Sequence, residues 1–211
     1  MKAKEQTEAA ATTQEKIKEA ARRVFIQKGY AATRTRDIAE ESGINLALIN
    51  YYFRSKENLF EIVMVEQLHL FIRGVRPIVN DEHTTLREKL RLLIAHYIDM
   101  LKLNPNLPAF VIPEINTDPK LFVERLGIDW QITNSYMARQ WQEAATKSGH
   151  SVNPIHIVMN IVALTVFPFI ASPMLRNRMG MSIDQFNALM EERKELIPQW
   201  IESLLMAGKK S

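Results

Sequence analysis

The sequence predicts an all-α protein in which a small three-helix unit at the N-terminus is followed by a larger helical body. Three observations carry this. Apolar residues recur at spacings of three and four along most of the 211 residues, and no segment alternates as a strand ladder would. Residues 35–52 contain two short helical segments on either side of a Gly-containing turn. Seven glycines are few for a loop-built protein, and four of the nine prolines gather between residues 105 and 119.

Each element can be justified in order. Residues 1–12 (MKAKEQTEAAAT) lack the apolar run of a secretory signal, and their composition predicts a disordered lead-in. The first helix is expected to begin near Thr12 or Thr13, because Thr12 and Glu15 have capping-box spacing. Its apolar positions Ile17, Ala20, Ala21, Val24 and Phe25 keep a 3.6-residue period. Thr35 is expected to cap a second helix that buries Ile38 and Ala39, and Gly43 permits the left-handed turn that ends it. Asn45 then caps a third helix running to about Tyr52. Ser55 caps a fourth, with Leu59, Ile62 and Val63 on one face, which continues towards Gly74 and is stopped by Pro77.

The third helix sorts its residues by face. Ile49 and Phe53 fall together and can pin it to its neighbours, while Leu46, Ala47, Asn50 and Tyr51 lie on another side. In a helix-turn-helix, that second set would enter the major groove, where Asn pairs with adenine N6 and N7 and small apolar groups touch a thymine methyl. Charge agrees with this reading. Residues 1–60 carry 11 Lys and Arg against 8 Asp and Glu, and the remaining residues balance, so the whole net charge of +3 sits in the first unit. Arg34, Arg36, Arg54 and Lys56 flank the two short helices and are the subset relevant to phosphates.

Ile17, Ala21, Val24, Phe25 and Gly29, then Thr35, Ile38, Ala39 and Gly43, then INYYFRSKENLF at residues 49–60, together resemble the TetR family of bacterial transcriptional regulators. The Tyr-Phe-x-Ser-Lys-Glu-x-Leu segment, residues 52–59, is the most specific part. The resemblance implies an all-helical homodimer with N-terminal operator-binding domains and divergent C-terminal domains that bind a small effector. It also implies that Thr35, Arg36, Tyr52 and Lys56 hold phosphates. Two positions depart from the pattern: Asn50 stands where Tyr is usual, and Asn45 where Ser or Thr is usual. On this reading residues 13–58 form the DNA-binding domain and residues 59–208 a ligand-binding and dimerisation domain. Two-fold symmetry predicts a palindromic operator, with half-sites roughly 34 to 36 Å, or multiples of that, apart.

Beyond this unit, residues 84–103 form an amphipathic helix with Leu86, Leu90, Leu93, Ile94, Tyr97 and Leu101 on its stripe. Short, broken helices are expected across the proline cluster, then a helix over 119–147 interrupted at Gly127. Residues 155–175 are apolar on most faces and about long enough to span a bilayer, but Pro168 and Pro173 interrupt them and His156, Asn160 and Ser172 add polar groups. Burial against both the protein's own core and a twin subunit accounts for them without a membrane. Together with a final helix at 183–206 they are the candidate dimer interface, and the family resemblance implies a four-helix arrangement there.

The candidate effector pocket draws on Phe71, His96, Tyr97, Met100, Phe110, Trp130, Met137, Trp141, Met159 and Phe167, a set able to line an apolar cavity with a few polar points. Its chemistry points to an apolar or aromatic small molecule. The absence of cysteine excludes disulfides and thiolate sites and is compatible with the cytoplasm. No His pair has metal-ligand spacing, so neither metal nor cofactor is expected. There is no Gly-rich phosphate loop, nucleophile elbow or His-Glu-x-x-His, which argues against an enzyme. The competing reading is a helical binding or scaffold protein of the same fold that no longer binds an operator, since Leu46, Ala47 and Asn50 carry no charge.

Overall fold

The computed structural model describes residues 2–127, 134–147 and 153–206, and all regular elements among them are helices. In chain order they are α1 (Lys2–Ala32), α2 (Thr35–Ser42), α3 (Leu46–Phe53), α4 (Lys56–Asn80), α5 (Leu86–Leu103), α6 (Leu107–Thr117), α7 (Pro119–Leu126), α8 (Tyr136–Lys147), α9 (Pro154–Met179) and α10 (Ile183–Met206). Helix α1 begins ten residues before the expected Thr12 start, so the lead-in is helical from Lys2. Ala9, Ala10 and Ala11 with flanking Glu and Lys are strong helix formers, and a helix already nucleated by the packed stretch 17–25 extends through them.

Helices α1, α2 and α3 close on one small core. Ile17, Ala21, Phe25, Ile38 and Ile49 are essentially without solvent exposure, and Phe53 and Leu59 join them. Each such Ile or Phe contributes about 1.5–3 kcal/mol by leaving water. The caps form largely as their spacing predicts. The Leu48 amide donates to Asn45 Oδ1 at 2.8 Å, and the Asn58 amide donates to Ser55 Oγ at 3.1 Å. Gly43 sits at φ 66°, ψ 17°, the left-handed turn between α2 and α3. At α2, however, the N-cap position falls on Arg34 and not on Thr35, and Asp37 in the first turn reaches back to it: the Arg34 amide donates to Asp37 Oδ2 at 2.7 Å.

Helix α4 runs through Pro77 to Asn80 instead of stopping there. The proline removes one donor from the ladder, and burial of Val79 beyond it holds the last turn in place. One continuous rod therefore leads from beside α3 deep into the body. Its passage past α5 is close: a Cβ added at Gly74 would lie 2.4 Å from the His96 ring. Thr85 and Glu88 form a reciprocal capping box at the start of α5. The proline cluster breaks into α6 and α7, and Gly127 ends α7 at φ 54°. Both Pro168 and Pro173 lie inside α9, which is longer than the expected 155–175.

Helix α9 is long and apolar enough to cross a membrane by length and composition alone. It nonetheless has two faces. Ile157, Ile161, Thr165, Pro168 and Phe169 pack inward against α5, α6, α8 and α10, whereas Ile155, Val158, Met159, Val162, Phe167, Ile170 and Met174 face outward. Helix α10 adds Ile183, Leu189, Leu196 and Trp200 to the outward apolar surface. Ion pairs Arg91–Glu195, Lys194–Asp99 and Lys102–Glu191 tie α10 to α5.

Candidate nucleic-acid interface

The exposed face of α3 is built by what lies beneath it. Ile49 and Phe53 anchor the helix, which leaves Ala47, Asn50 and Tyr51 outward and Leu46 half-buried at the edge. Tyr51 is 78% exposed, an unusual position for a large aromatic ring. Its ring leans on Tyr52 at 5.3 Å between centroids, so Tyr52 supports the reading face while itself half-buried.

A shallow depression of about 340 Å³ lies between the starts of α2 and α3, lined by Arg34, Thr35, Arg36, Leu46 and Asn50. The fold thus brings Thr35 and Arg36 beside Leu46 and Asn50, residues ten or more positions apart in the chain. Arg34 joins them as the residue just before α2. Four other basic groups in the unit are paired: Arg23 with Glu41, Lys28 with Asp37, Arg22 with Glu19 and Lys18 with Glu66. Arg34, Arg36 and Arg54 make no ion pair with a described residue. Their charge is available to an external anion. Asp37 stays ionised below the usual carboxylate range, chiefly because the Arg34 amide donates to it and secondarily through Lys28.

Lys56 is placed differently from its expected phosphate role. Its ammonium donates to the carbonyls of Tyr30 at 3.1 Å and Thr33 at 3.2 Å, and sits 4.2 Å from the centroid of the Tyr30 ring. The orphan carbonyls at the end of α1 attract a cation, and Lys56 is turned inward to meet them. Arg54 lies beside it at φ 63°, ψ −47°, the one non-glycine residue with positive φ among the described residues. Nothing in the residue types marks that strain, because a glycine would have announced the turn.

The candidate pocket residues divide. Phe71 stacks on His96 with centroids 5.2 Å apart, and packs on Tyr97 at 4.5 Å. His96 Nε2 also lies 3.1 Å from the Phe71 carbonyl, joining α5 to α4. Burial pushes the Tyr97 phenol up to about 12. Met100, Met137 and Trp141 are buried in the same body. Phe110 belongs to a separate aromatic chain, 5.9 Å from Phe60 and 6.5 Å from Phe122. Met159 and Phe167 are not pocket walls: they are 59% and 64% exposed on the outer face of α9, because the inward positions of that helix are taken by Ile157, Ile161 and Phe169. Trp130 lies outside the described residues. Among the described residues no cluster of three or more His, Asp or Glu side chains could hold a metal ion.

Residues 17–63 match the family described as bacterial regulatory proteins, tetR family. The probable HTH-type transcriptional regulator YttP of Bacillus subtilis (strain 168) is 24% identical over 203 residues, covering 93% of this chain and 96% of the relative. Among solved structures, a putative TetR-family transcriptional regulator from Mesorhizobium loti MAFF303099 superposes with a TM-score of 0.58 at 21% identity, covering 92% of this chain and 97% of the other. The transcriptional regulator FadR of Bacillus subtilis, crystallised with stearoyl-CoA, gives 0.54 at 20% identity, covering 87% and 96%. Residues 17–63 thus match the N-terminal domain of the tetR family of bacterial regulatory proteins, and the all-helical chain as a whole is similar in fold to regulators of that family.

Proposed function

We propose that the protein is a homodimeric, ligand-responsive repressor that leaves a palindromic operator when an apolar small molecule binds its helical body. The observation that carries the reading is the juxtaposition of an exposed Ala47–Asn50–Tyr51 face with unpaired Arg34 and Arg36 across one depression. Bases are read by the first group and phosphates positioned by the second, with Thr35 and Tyr52 beside them. The reading head comprises residues 13–58 and the regulatory body residues 59–208, with α4 continuous across the boundary. The outward apolar stripes of α9 and α10 pack against the same stripes of a second copy, since a patch of this kind facing water is unfavourable. FadR, of the same fold, holds stearoyl-CoA, which supports an acyl chain as one form of the apolar effector. Action in the cytoplasm follows from a DNA target.

A binding selection on fragmented genomic DNA with the purified protein tests this. One enriched palindrome is expected, and Asn50→Ala and Tyr51→Ala should lower preference for it by about 1–3 kcal/mol per lost base contact while the dimer persists. No enrichment at low salt would reject operator binding in favour of a helical binding protein of the same fold.

A further inference from the structure

We propose that the junction of α5 and α8 seats the acidic headgroup of the effector, so that the ligand is an amphipathic carboxylate and not a neutral apolar molecule; this rests on the effector reading above. Lys89 lies in the first turns of α5 with no exposed surface. Its ammonium donates to Thr84 O at 2.5 Å and Thr84 Oγ1 at 2.8 Å, and lies 5.1 Å from the centroid of the Tyr136 ring. The two neighbouring carboxylates are spent elsewhere. Glu88 accepts from the Thr85 amide and hydroxyl at 2.8 and 2.7 Å, and Asp81 accepts from the His83 amide at 2.9 Å. No described carboxylate pairs with Lys89, whereas Lys18, Lys28, Lys102 and Lys194 all have one. A sealed ammonium without a counter-ion is costly. Burial accordingly lowers the lysine's pKa, against weaker support from Asp81 and Glu88.

Helix α8 adds two further unmet groups. The Gln140 Nε2 donates to the same Thr84 carbonyl at 2.9 Å, which leaves its Oε1 buried without a partner. Trp141, the next residue of α8, is 3% exposed, and its indole Nε1 is also buried without a partner among the described residues. Native cores rarely leave such an acceptor or such a donor unmet. A cation without a counter-ion and an N–H without an acceptor both favour the oxygens of an anion. From Lys89 the same face of α5 continues through Leu93 to Tyr97, roughly 12 Å along the helix, and reaches the Phe71–His96–Tyr97 stack. That distance matches the length of a medium-chain acyl tail. Thr84 belongs to the connection between α4 and α5, so a carboxylate that takes its place on Lys89 loosens the end of the rod leading to the reading head.

Titration calorimetry of the full-length protein with decanoate and with decanol reads this directly. Decanoate should bind at least tenfold more tightly than decanol. Lys89→Met should reduce decanoate to the affinity of decanol and leave decanol unchanged, and Lys89→Arg should keep most of the preference. Should the methionine variant fail to fold, Trp141→Phe serves instead, with a several-fold loss confined to decanoate. Equal affinity for the two ligands, a preference that survives Lys89→Met, or no binding of either overturns the inference. If decanol alone releases operator DNA, the effector reading stands and only the headgroup assignment falls.

Discussion

Three side chains show how a residue's setting decides its work. Lys56 and Arg54 stand two positions apart in the most specific segment of the family pattern, yet one is turned to the carbonyls of α1 and the other is free. Lys56→Ala should therefore cost about 1–2 kcal/mol of stability, from the lost helix-end and ring contacts, and leave the salt dependence of DNA binding unchanged. Thermal melts and salt titrations on a random-sequence duplex separate these effects. Arg54→Gly should do the opposite: relief of the left-handed strain makes the fold neutral or more stable by up to about 1 kcal/mol, while the salt slope drops by about one. A slope unchanged by Arg54→Gly would remove this arginine from the phosphate contacts. Tyr97 supplies a pH signature. Its folded pKa of about 12 exceeds the ordinary 10.0, so the unfolded chain ionises first and stability falls as pH rises from 10 towards 12. The loss should approach about 3 kcal/mol, and Tyr97→Phe should abolish that component in alkaline unfolding curves compared side by side.

Among the elements, α3 and α9 expose apolar or aromatic side chains for opposite reasons. Helix α3 has eight residues, too short to be stable without Ile49 and Phe53 beneath it, and on the proposed function its outward face meets DNA. Helix α9 has 26 residues and needs no such support, but its outward stripe is a surface in search of cover. Phe167→Glu, at the centre of that stripe, should convert the dimer to monomer in light scattering while the circular dichroism of the helices is kept. Operator binding should then fall steeply, because a single short helix supplies few base contacts. A dimer that survives the substitution would place the interface elsewhere. Helix α4 is the element most easily misread from residue types: a proline at 77 reads as a stop, yet the last turn stays helical, with Val79 buried and Asn80 Nδ2 donating to the Arg76 carbonyl.

For the whole molecule, the consequence of the proposed function is thermodynamic. An effector that discriminates between two states by about 1–3 kcal/mol weakens operator affinity roughly 5- to 150-fold, and operator DNA must weaken effector binding by the same factor. Calorimetric titration of a releasing ligand into free and operator-bound protein checks the equality; equal affinity in both forms would reject induction. On the proposed function the physical route runs along α4, which is locked to α5 by the Phe71–His96 stack and the His96–Phe71 carbonyl contact, and approached by α6 and α7 through Phe60, Phe110 and Phe122.

Local chemistry was enough to read the helix-turn-helix. Asn45 and Ser55 cap where their spacing requires, Gly43 turns where only glycine turns easily, and the 3.6-residue period identifies Ile38, Ile49 and Phe53 as core. Those signals act over three or four residues, so they survive without knowledge of the fold. The inward turn of Lys56, the strain at Arg54, the reach of Asp37 back to Arg34, and the outward placement of Met159 and Phe167 were not legible, because each depends on a neighbour that the chain brings back from elsewhere or on which face of an apolar helix meets the core. The same holds for Lys89, an ordinary lysine in an amphipathic helix until Thr84, Tyr136 and Gln140 enclose it. Periodicity and capping by themselves determined that this protein is all-helical with an N-terminal helix-turn-helix; long-range packing alone decided which of its charges remain free to act.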